Sequence, residues 1–513
     1  MSQLSLVTNG PRAYEPAGAW TIRTTRVGYR RFLFIRAHVN LYYFWEKRWF
    51  FVAIAVATLL LNLPLPDGLS REGMIVLAIS VFATILYITE PVPLPTVALL
   101  IIGGQVILLG LESTEVARSL MTDSVLFIMG SLMLAVTVIR QKFDLRIAWL
   151  IVRATGVRTS RICFGISAVS GLLASFIGEH TVAAMMLPVG VTLITLTSKN
   201  RKEVRNLAAA ILFSIAYGCS IAGIGTPSGG ARNAIMIGYW KDFFYDPTNP
   251  DTYRFLIDYV RWMVYAYPLF LLQLPLVTLV ILWTFKPEQT KLTRAVARLR
   301  HQVRMQGPMT MANYVAILLL VLILFSWIFL SSEIGMGTVA ILGAATFLIA
   351  GLVKWEDLNS GVNWGVVWLY ASAISLGVQM KNTGAAEWIA QQFISVLEPI
   401  GADQGIGLWA AVSVLTTFVT NTMSNGAAVA VLGPIVLKMA VVANENPIVI
   451  GFITAISSAF AYLTVIGTPA STIVFAAGYL RPRDFLKVGS RMVVVSTIVL
   501  LLVASLYWPL IGA

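Results

Sequence analysis

A polar turn inside an apolar stretch occurs twice in this sequence, and this repeat constrains the fold most. Gly178-Glu179-His180-Thr181 and Ser424-Asn425-Gly426-Ala427 are followed, ten residues after the first motif residue, by Pro188 and Pro434. Each copy precedes a second apolar stretch that glycine and proline interrupt, at Pro227 in the first half and at Pro469 in the second. Paired interruptions in two halves are typical of membrane proteins with a ligand site near the bilayer midplane.

The composition restricts the class of protein. Of 513 residues, 58% are hydrophobic and 12% are charged, and many apolar runs are long enough to cross roughly 30 Å of hydrocarbon. The net charge of +13 comes from basic residues that cluster outside these runs, which indicates membrane topology and not a nucleic-acid partner. Cys163 and Cys219 lie in apolar segments without redox or metal spacing. We therefore predict a polytopic membrane protein.

Two basic segments indicate the orientation. Residues 1–48 are basic, and Val27–Trp49 mixes arginine with aromatic residues as in a helix on the anionic cytoplasmic leaflet, with a plain basic tail as the alternative. In residues 285–312, Glu288 is the acidic exception among basic residues. The positive-inside rule places both segments in the cytoplasm. Counting spans from there predicts a C-terminus outside.

The predicted fold is an all-α polytopic membrane protein with about 11 transmembrane helices plus two re-entrant hairpins. Its membrane halves are residues 49–284 and 313–513, which have opposite orientations and form an inverted repeat. The predicted elements include hairpins at 160–197 and 405–440, broken helices at 206–240 and 446–480, a helical stretch at 363–396 and a last span at 490–511. The hairpin arms are short for independent spans, so each tip is expected to stop within the membrane.

The chain after the basic N-terminal segment resembles the divalent anion sodium symporter family of di- and tricarboxylate transporters. The shared motifs are Thr89-Glu90-Pro91, Gly307-Pro308-Met309, the segment from Lys381 to Trp388, Thr468-Pro469 and the hairpin tips. The resemblance implies an elevator-type transporter and a homodimer, in which hairpins and broken helices move against a fixed scaffold. It also implies a dicarboxylate held between the tips, with sodium beside it.

The hairpin tips depart from the family's Ser-Asn-Thr triplet. Ser424-Asn425-Gly426 keeps two of its three residues, whereas Gly178-Glu179-His180 keeps none. Thr420-Asn421-Thr422 is a competing assignment that needs a three-residue insertion. The family's Thr-Pro-Pro-Asn corresponds to Thr468-Pro469-Ala470-Ser471 in one half and to Gly230-Ala231-Arg232-Asn233 in the other.

These positions define the candidate site. The predicted substrate-binding residues are Gly178, Glu179, His180, Thr181, Arg232, Asn233, Ser424, Asn425, Gly426, Thr468 and Pro469, and the possible sodium ligands are Ser424, Asn425 and Thr468. The half-helix ends present N–H groups to an anion, and hydroxyl and carbonyl oxygens suit a hard cation. Capping of the half-helices is the structural alternative.

Glu179 lies at membrane depth and therefore needs a cation or a proton. His180 and Arg232 are its candidate partners. A merely structural ion pair is one alternative, and for Arg232 a side chain that reaches an interface is another. The sequence carries no catalytic triad or nucleotide loop, and a lone His180 makes no metal site, so an enzyme is not expected.

The sequence predicts secondary active transport of a small organic dianion, a C4 or C5 dicarboxylate such as succinate, malate or 2-oxoglutarate, in the bacterial inner membrane. No cofactor is expected beyond sodium or a proton as the coupling ion. Because the first tip has lost its hydroxyl and amide oxygens, exchange or proton coupling is predicted. The rivals are sodium coupling, transport of an inorganic dianion such as sulfate, and a non-transporting membrane sensor on the same fold.

Overall fold

The computed structural model describes residues 45–512, except residues 142, 199, 306 and 307. Most of the predicted surface helix at Val27–Trp49 lies outside the described residues, as does Gly307 of the central loop. Within them the chain forms α-helices and 3-10 turns, and an isolated bridge between Arg158 and Lys291 is the one β-type pairing found. This confirms the predicted all-α class.

In the residues that the structure describes, the first half contains eleven α-helices. They are α1 Arg48–Asn62, α2 Arg71–Thr89, α3 Leu94–Leu109, α4 Ser113–Leu120, α5 Asp123–Arg140, α6 Asp144–Thr155, α7 Thr159–Ile177, α8 Glu179–Thr197, α9 Arg205–Ala222, α10 Ala231–Phe244 and α11 Tyr259–Thr284. The central segment carries α12, Thr293–Met305.

Ten more α-helices lie in the described residues of the second half. They are α13 Met311–Ile334, α14 Met336–Ile349, α15 Trp355–Gly361, α16 Trp364–Asn382, α17 Ala385–Leu397, α18 Gly405–Thr420, α19 Asn425–Val442, α20 Pro447–Ser457, α21 Pro469–Ala476 and α22 Pro482–Leu506.

Many of these helices are long and apolar enough to cross a membrane. In the described part of the chain nine helices meet this condition, or up to ten if α15 and α16, which are bent by 64°, form one span. The protein is therefore a multi-pass membrane protein. The number of about 11 crossings and the orientation of the termini stay predictions.

Each predicted hairpin is a pair of helices joined at a tight break. Helices α7 and α8 meet at Gly178, whose φ of +93° belongs to a region that favours glycine. Helices α18 and α19 are joined by residues 421–424, and the Ser424 hydroxyl accepts a hydrogen bond from the Ala427 N–H at 3.4 Å. Gly178 and Ser424 therefore occupy the same place, immediately before the second helix of their hairpin.

The two broken helices supply irregular backbone beside the tips. In the first half α9 ends at Ala222, a 3-10 turn follows, and α10 begins at Ala231. The Asn233 side-chain amide donates to the carbonyls of Gly223 at 2.8 Å and Thr226 at 2.7 Å, which satisfies two buried groups that the break leaves open. In the second half Thr468 caps α21 by accepting from the Ser471 N–H at 3.0 Å.

The central basic segment is attached to the first half. The Leu292 N–H donates to the Val157 carbonyl at 2.8 Å, at the start of α7. The Glu288 carboxylate accepts from the N–H groups of Asn206 at 2.7 Å and Leu207 at 2.9 Å, and so caps the start of α9. The one acidic residue of this segment thus has a defined structural role.

Candidate functional site

A cavity of about 330 Å³ lies where the two tips and the broken helices meet. Its polar lining consists of Ser131, Glu179, His180, Ser228, Asn363, Tyr370 and Ser424. Its apolar lining includes Leu94, Phe127, Ile128, Leu132, Ile177, Val366 and Leu369. Both hairpins and both halves therefore contribute to one space of the size that holds a small molecule.

Four helices begin at this cavity. Their first residue or N-cap lines it: Glu179 of α8, Ala231 of α10, Ser424 before α19 and Pro469 of α21. The opening turn of a helix carries unpaired N–H groups and the positive end of the helix dipole. Four such ends around one cavity create a positive potential without any charged side chain, which favours an anion.

Glu179, which lines the cavity, forms an ion pair with Arg232, which does not line it. The Arg232 Nη1 and the Glu179 Oε1 are 3.3 Å apart, and the two side chains are 1% and 7% exposed. Arg232 is the second residue of α10, where the helix dipole disfavours a cation, so a carboxylate partner is needed. Of the two partners predicted for Glu179, Arg232 makes the contact. The alternative in which Arg232 reaches an interface is wrong.

Asn425 connects the second tip to this pair. Its side-chain amide donates to the Glu179 Oε1 at 3.2 Å, and its Oδ1 accepts from the Thr420 hydroxyl at 3.1 Å. The two tips thus contact each other through side chains from opposite halves of the chain. Among the described residues, Glu179 Oε2 and Arg232 Nε and Nη2 have no hydrogen-bond partner.

Two glycines make room for the arginine. A Cβ placed on Gly223 would lie 2.8 Å from Arg232 Nη2, and one on Gly230 would lie 2.8 Å from Arg232 Nη1. The guanidinium therefore fills the space inside the first broken-helix loop, and Asn233 ties that loop together behind it.

This packing predicts that Gly223→Ala displaces Arg232. The added methyl would also lie 3.0 Å from the Gly229 carbonyl, which belongs to the backbone and cannot turn away. We expect a loss of about 1–3 kcal/mol in the free energy of unfolding, measured as a lower melting temperature in detergent. The matched control is Gly103→Ala in α3, where the methyl would meet no atom within 4 Å. Equal melting temperatures for the two variants would contradict the prediction.

The other predicted site residues lie at different distances from the cavity. Gly178, His180, Ser424 and Pro469 line it. Six other predicted site residues are buried but do not line the cavity: Thr181, Arg232, Asn233, Asn425, Gly426 and Thr468. Asn233 and Thr468 serve as structural ties of their loops, as described above.

The structure also places residues at the cavity that the motifs did not indicate. Tyr370 of α16 packs on the second tip so closely that a Cβ on Gly426 would lie 2.4 Å from its hydroxyl. Ser228 shares a hydrogen bond of 2.7 Å with the hydroxyl of Tyr259. A tyrosine or serine within an apolar stretch is a weak sequence signal, because its direction depends on how the helix is rotated.

Comparison with known proteins indicates a family of membrane transporters. Residues 45–513 match the family model described as the sodium:sulfate symporter transmembrane region. The sodium-dependent dicarboxylate transporter SdcS of Staphylococcus saprophyticus is 26% identical over 473 residues, which cover 86% of this chain and 88% of the relative. An uncharacterized transporter of Haemophilus influenzae is 26% identical over 475 residues, which cover 90% of this chain and 96% of the relative.

A solved structure shares the fold. The crystal structure of the YdaH transporter of Alcanivorax borkumensis aligns with a TM-score of 0.50 at 12% identity, over 75% of this chain and 86% of that one. The fold and these relatives define a multi-pass membrane transporter and not an enzyme. Because the family model covers nearly the whole chain, the protein belongs to the divalent anion sodium symporter family, as its motifs predicted.

Proposed function

We propose that this protein is a secondary active transporter of a small organic dianion, a C4 or C5 dicarboxylate such as succinate, malate or 2-oxoglutarate. The observation that carries the proposal is the cavity of about 330 Å³ at which four helix N-termini converge. Elevator-type movement within a homodimer of the bacterial inner membrane belongs to the same proposal. The staphylococcal relative is described as a dicarboxylate transporter, which supports the substrate class.

The lining of the cavity favours an organic dianion over sulfate. Phe127, Ile128 and Leu132 of α5, with Val366 and Leu369 of α16, form apolar walls between the polar ends. The methylene groups of a dicarboxylate would cover such walls, while its two carboxylates reach the helix N-termini. A sulfate ion is polar on every side and would leave these walls in contact with water.

The buried ion pair between Glu179 and Arg232 supports the proposal that transport needs no sodium ion bound at the first tip. Sodium binding requires several well-placed oxygens, as for other hard cations. Here the Glu179 Oε1 already has two donors, from Arg232 and Asn425, and the pair is neutral as a whole. The charge of the substrate then rests on the helix N-termini around the cavity. We therefore propose exchange or proton symport.

Uptake into proteoliposomes tests these proposals. Labelled succinate is offered to vesicles with or without internal succinate, in sodium or choline medium, with and without an inward proton gradient. Exchange predicts uptake that requires internal succinate, and proton symport predicts uptake into empty vesicles that the proton gradient drives. Both predict equal rates in sodium and choline.

Three outcomes would contradict parts of the proposal. Strict sodium dependence with a steep, multi-ion sodium curve would contradict the coupling. Competition by sulfate but not by succinate or malate would contradict the substrate class. Specific binding of a dicarboxylate without any flux would favour a membrane sensor. A matched preparation of vesicles without protein provides the background rate.

A further inference from the structure

A second cavity borders α7, the first helix of the first hairpin. It has a volume of about 300 Å³ and lies between α5, α7 and α13. All ten side chains that line it are apolar, among them Leu134 of α5, Leu173 and Ile177 of α7, and Leu324 and Trp327 of α13. The Trp327 indole N–H donates to the Met336 carbonyl at 3.2 Å, so this ring offers the cavity no free donor.

The position along α13 gives the depth of this cavity. Its α13 residues, Leu320 to Trp327, lie in the middle of a helix that runs from Met311 to Ile334. At 1.5 Å per residue that helix is about 36 Å long, which exceeds the hydrocarbon thickness of a bilayer slightly. A cavity halfway along such a span faces lipid tails and not headgroups.

The cavity opens towards the outside of the helix bundle. Leu172 of α7 lines it and is 52% exposed. The neighbouring α13 is exposed along much of its length, with Val321, Leu322 and Phe325 at its surface. In a multi-pass membrane protein these apolar surfaces contact acyl chains. With no polar group to orient a ligand, the cavity suits a hydrocarbon chain.

Only one layer of side chains separates this cavity from the candidate substrate cavity. Ile177, the residue before the first tip, lines both. Phe127 lines the first cavity and packs edge-on against Trp327 of the second, with ring centres 5.4 Å apart. Trp327 also stacks on Tyr259 at 5.5 Å, and the Tyr259 hydroxyl contacts Ser228 of the substrate cavity.

We propose that this second cavity binds one acyl chain of a membrane phospholipid, and that the bound chain controls the transport rate by supporting Ile177 beneath the first tip. The bound acyl chain fills a void between α7 and α13. An empty void there would lose the packing contacts of the side chains that line it. The kinetic part rests on the proposed transport function. The binding part does not, so failure of one can be told from failure of the other.

Photolabelling tests the binding. The intact protein is reconstituted in phosphatidylethanolamine and phosphatidylglycerol vesicles that contain a phospholipid with a diazirine near the end of one acyl chain. Mass spectrometry is expected to find labels concentrated on residues 172–177 and 320–327. Filling the cavity with Leu173→Trp, or from the opposite wall with Leu324→Trp, is expected to abolish this labelling. Leu318→Trp, at an exposed position outside the cavity, is the matched control.

The same variants test the effect on transport. Both cavity-filling variants are expected to change the succinate transport rate by about threefold or more relative to Leu318→Trp, with unchanged succinate affinity. Labels spread equally over all exposed faces of α13, or labelling that survives both fillings, would overturn the binding proposal. Lost labelling with unchanged succinate transport rates would overturn the kinetic part, and absence of any succinate transport by the parent would instead contradict the proposed function.

Discussion

Replacing Arg232 by methionine is expected to lower the free energy of unfolding by about 3–5 kcal/mol, because Glu179 is then left buried without its cation. The pair is 1% and 7% exposed, so water does not compensate the loss. A lower melting temperature in detergent and lower yield of folded protein measure this effect. Transport of succinate in proteoliposomes is expected to be lost as well.

A second variant separates a structural role from a functional one. Arg232→Met combined with Glu179→Gln removes both charges and keeps similar side-chain volumes, so most of the lost stability should return. If the pair only closes the tip, transport should return with stability. We expect stability to return without transport, because we propose that the Arg232 guanidinium takes the place of a sodium ion at the first tip, and the double variant lacks it.

The Arg140–Asp357 ion pair offers a matched control. Its side chains are 54% and 23% exposed, and exposed pairs contribute about 0–1 kcal/mol. Arg140→Met should therefore leave the melting temperature and transport nearly unchanged. If Arg232→Met had the same melting temperature as Arg140→Met, the buried pair would not stabilise the tip. The proposal that the Arg232 guanidinium takes the place of an ion would then be wrong.

Local signals account for the parts of the fold that the sequence predicted well. Gly178 and Ser424 stand at the tips and Pro227 and Pro469 in the broken helices, so residues that end or cap helices located all four places. A proline alone is not enough, because Pro188 and Pro434 lie inside helices. The last span is predicted at 490–511, and the helix found there, α22, extends from Pro482 to Leu506. The helix begins at Pro482, because proline suits a first helical turn and the Asp484 carboxylate accepts from the Arg481 N–H at 2.8 Å.

Long-range contacts could not be predicted in this way. Arg232 is 53 residues from Glu179, and Asn425 is 246 residues from it. The sequence indicated two possible partners for Glu179, but the choice between His180 and Arg232 depends on how the broken-helix loop folds back. Gly384, with φ at +76°, separates α16 from α17 within the stretch 363–396. The directions in which the Tyr370 and Phe127 side chains point likewise depend on how their helices pack.

A variant that restores the family's oxygens at the first tip is expected to gain sodium dependence. The proposed changes are Glu179→Asn, His180→Thr and Arg232→Ala together. They remove the fixed ion pair and leave amide, hydroxyl and loop carbonyl oxygens around the space that the guanidinium had filled. Gly178 is kept, because its φ of +93° would strain a serine at that position.

Transport by this triple variant should be about tenfold faster in sodium than in choline, since binding one cation then contributes at least 1.4 kcal/mol to substrate binding. The parent should show equal rates in both media. Glu179→Asn alone is the control, because it leaves Arg232 buried without its partner and should be inactive in either medium. A folded triple variant that transports equally well in choline would contradict the proposal that Arg232 takes the place of a co-transported ion. A sodium response would instead mean that the charge inside the first broken-helix loop determines the coupling ion, since the helix N-termini around the substrate are the same in both proteins.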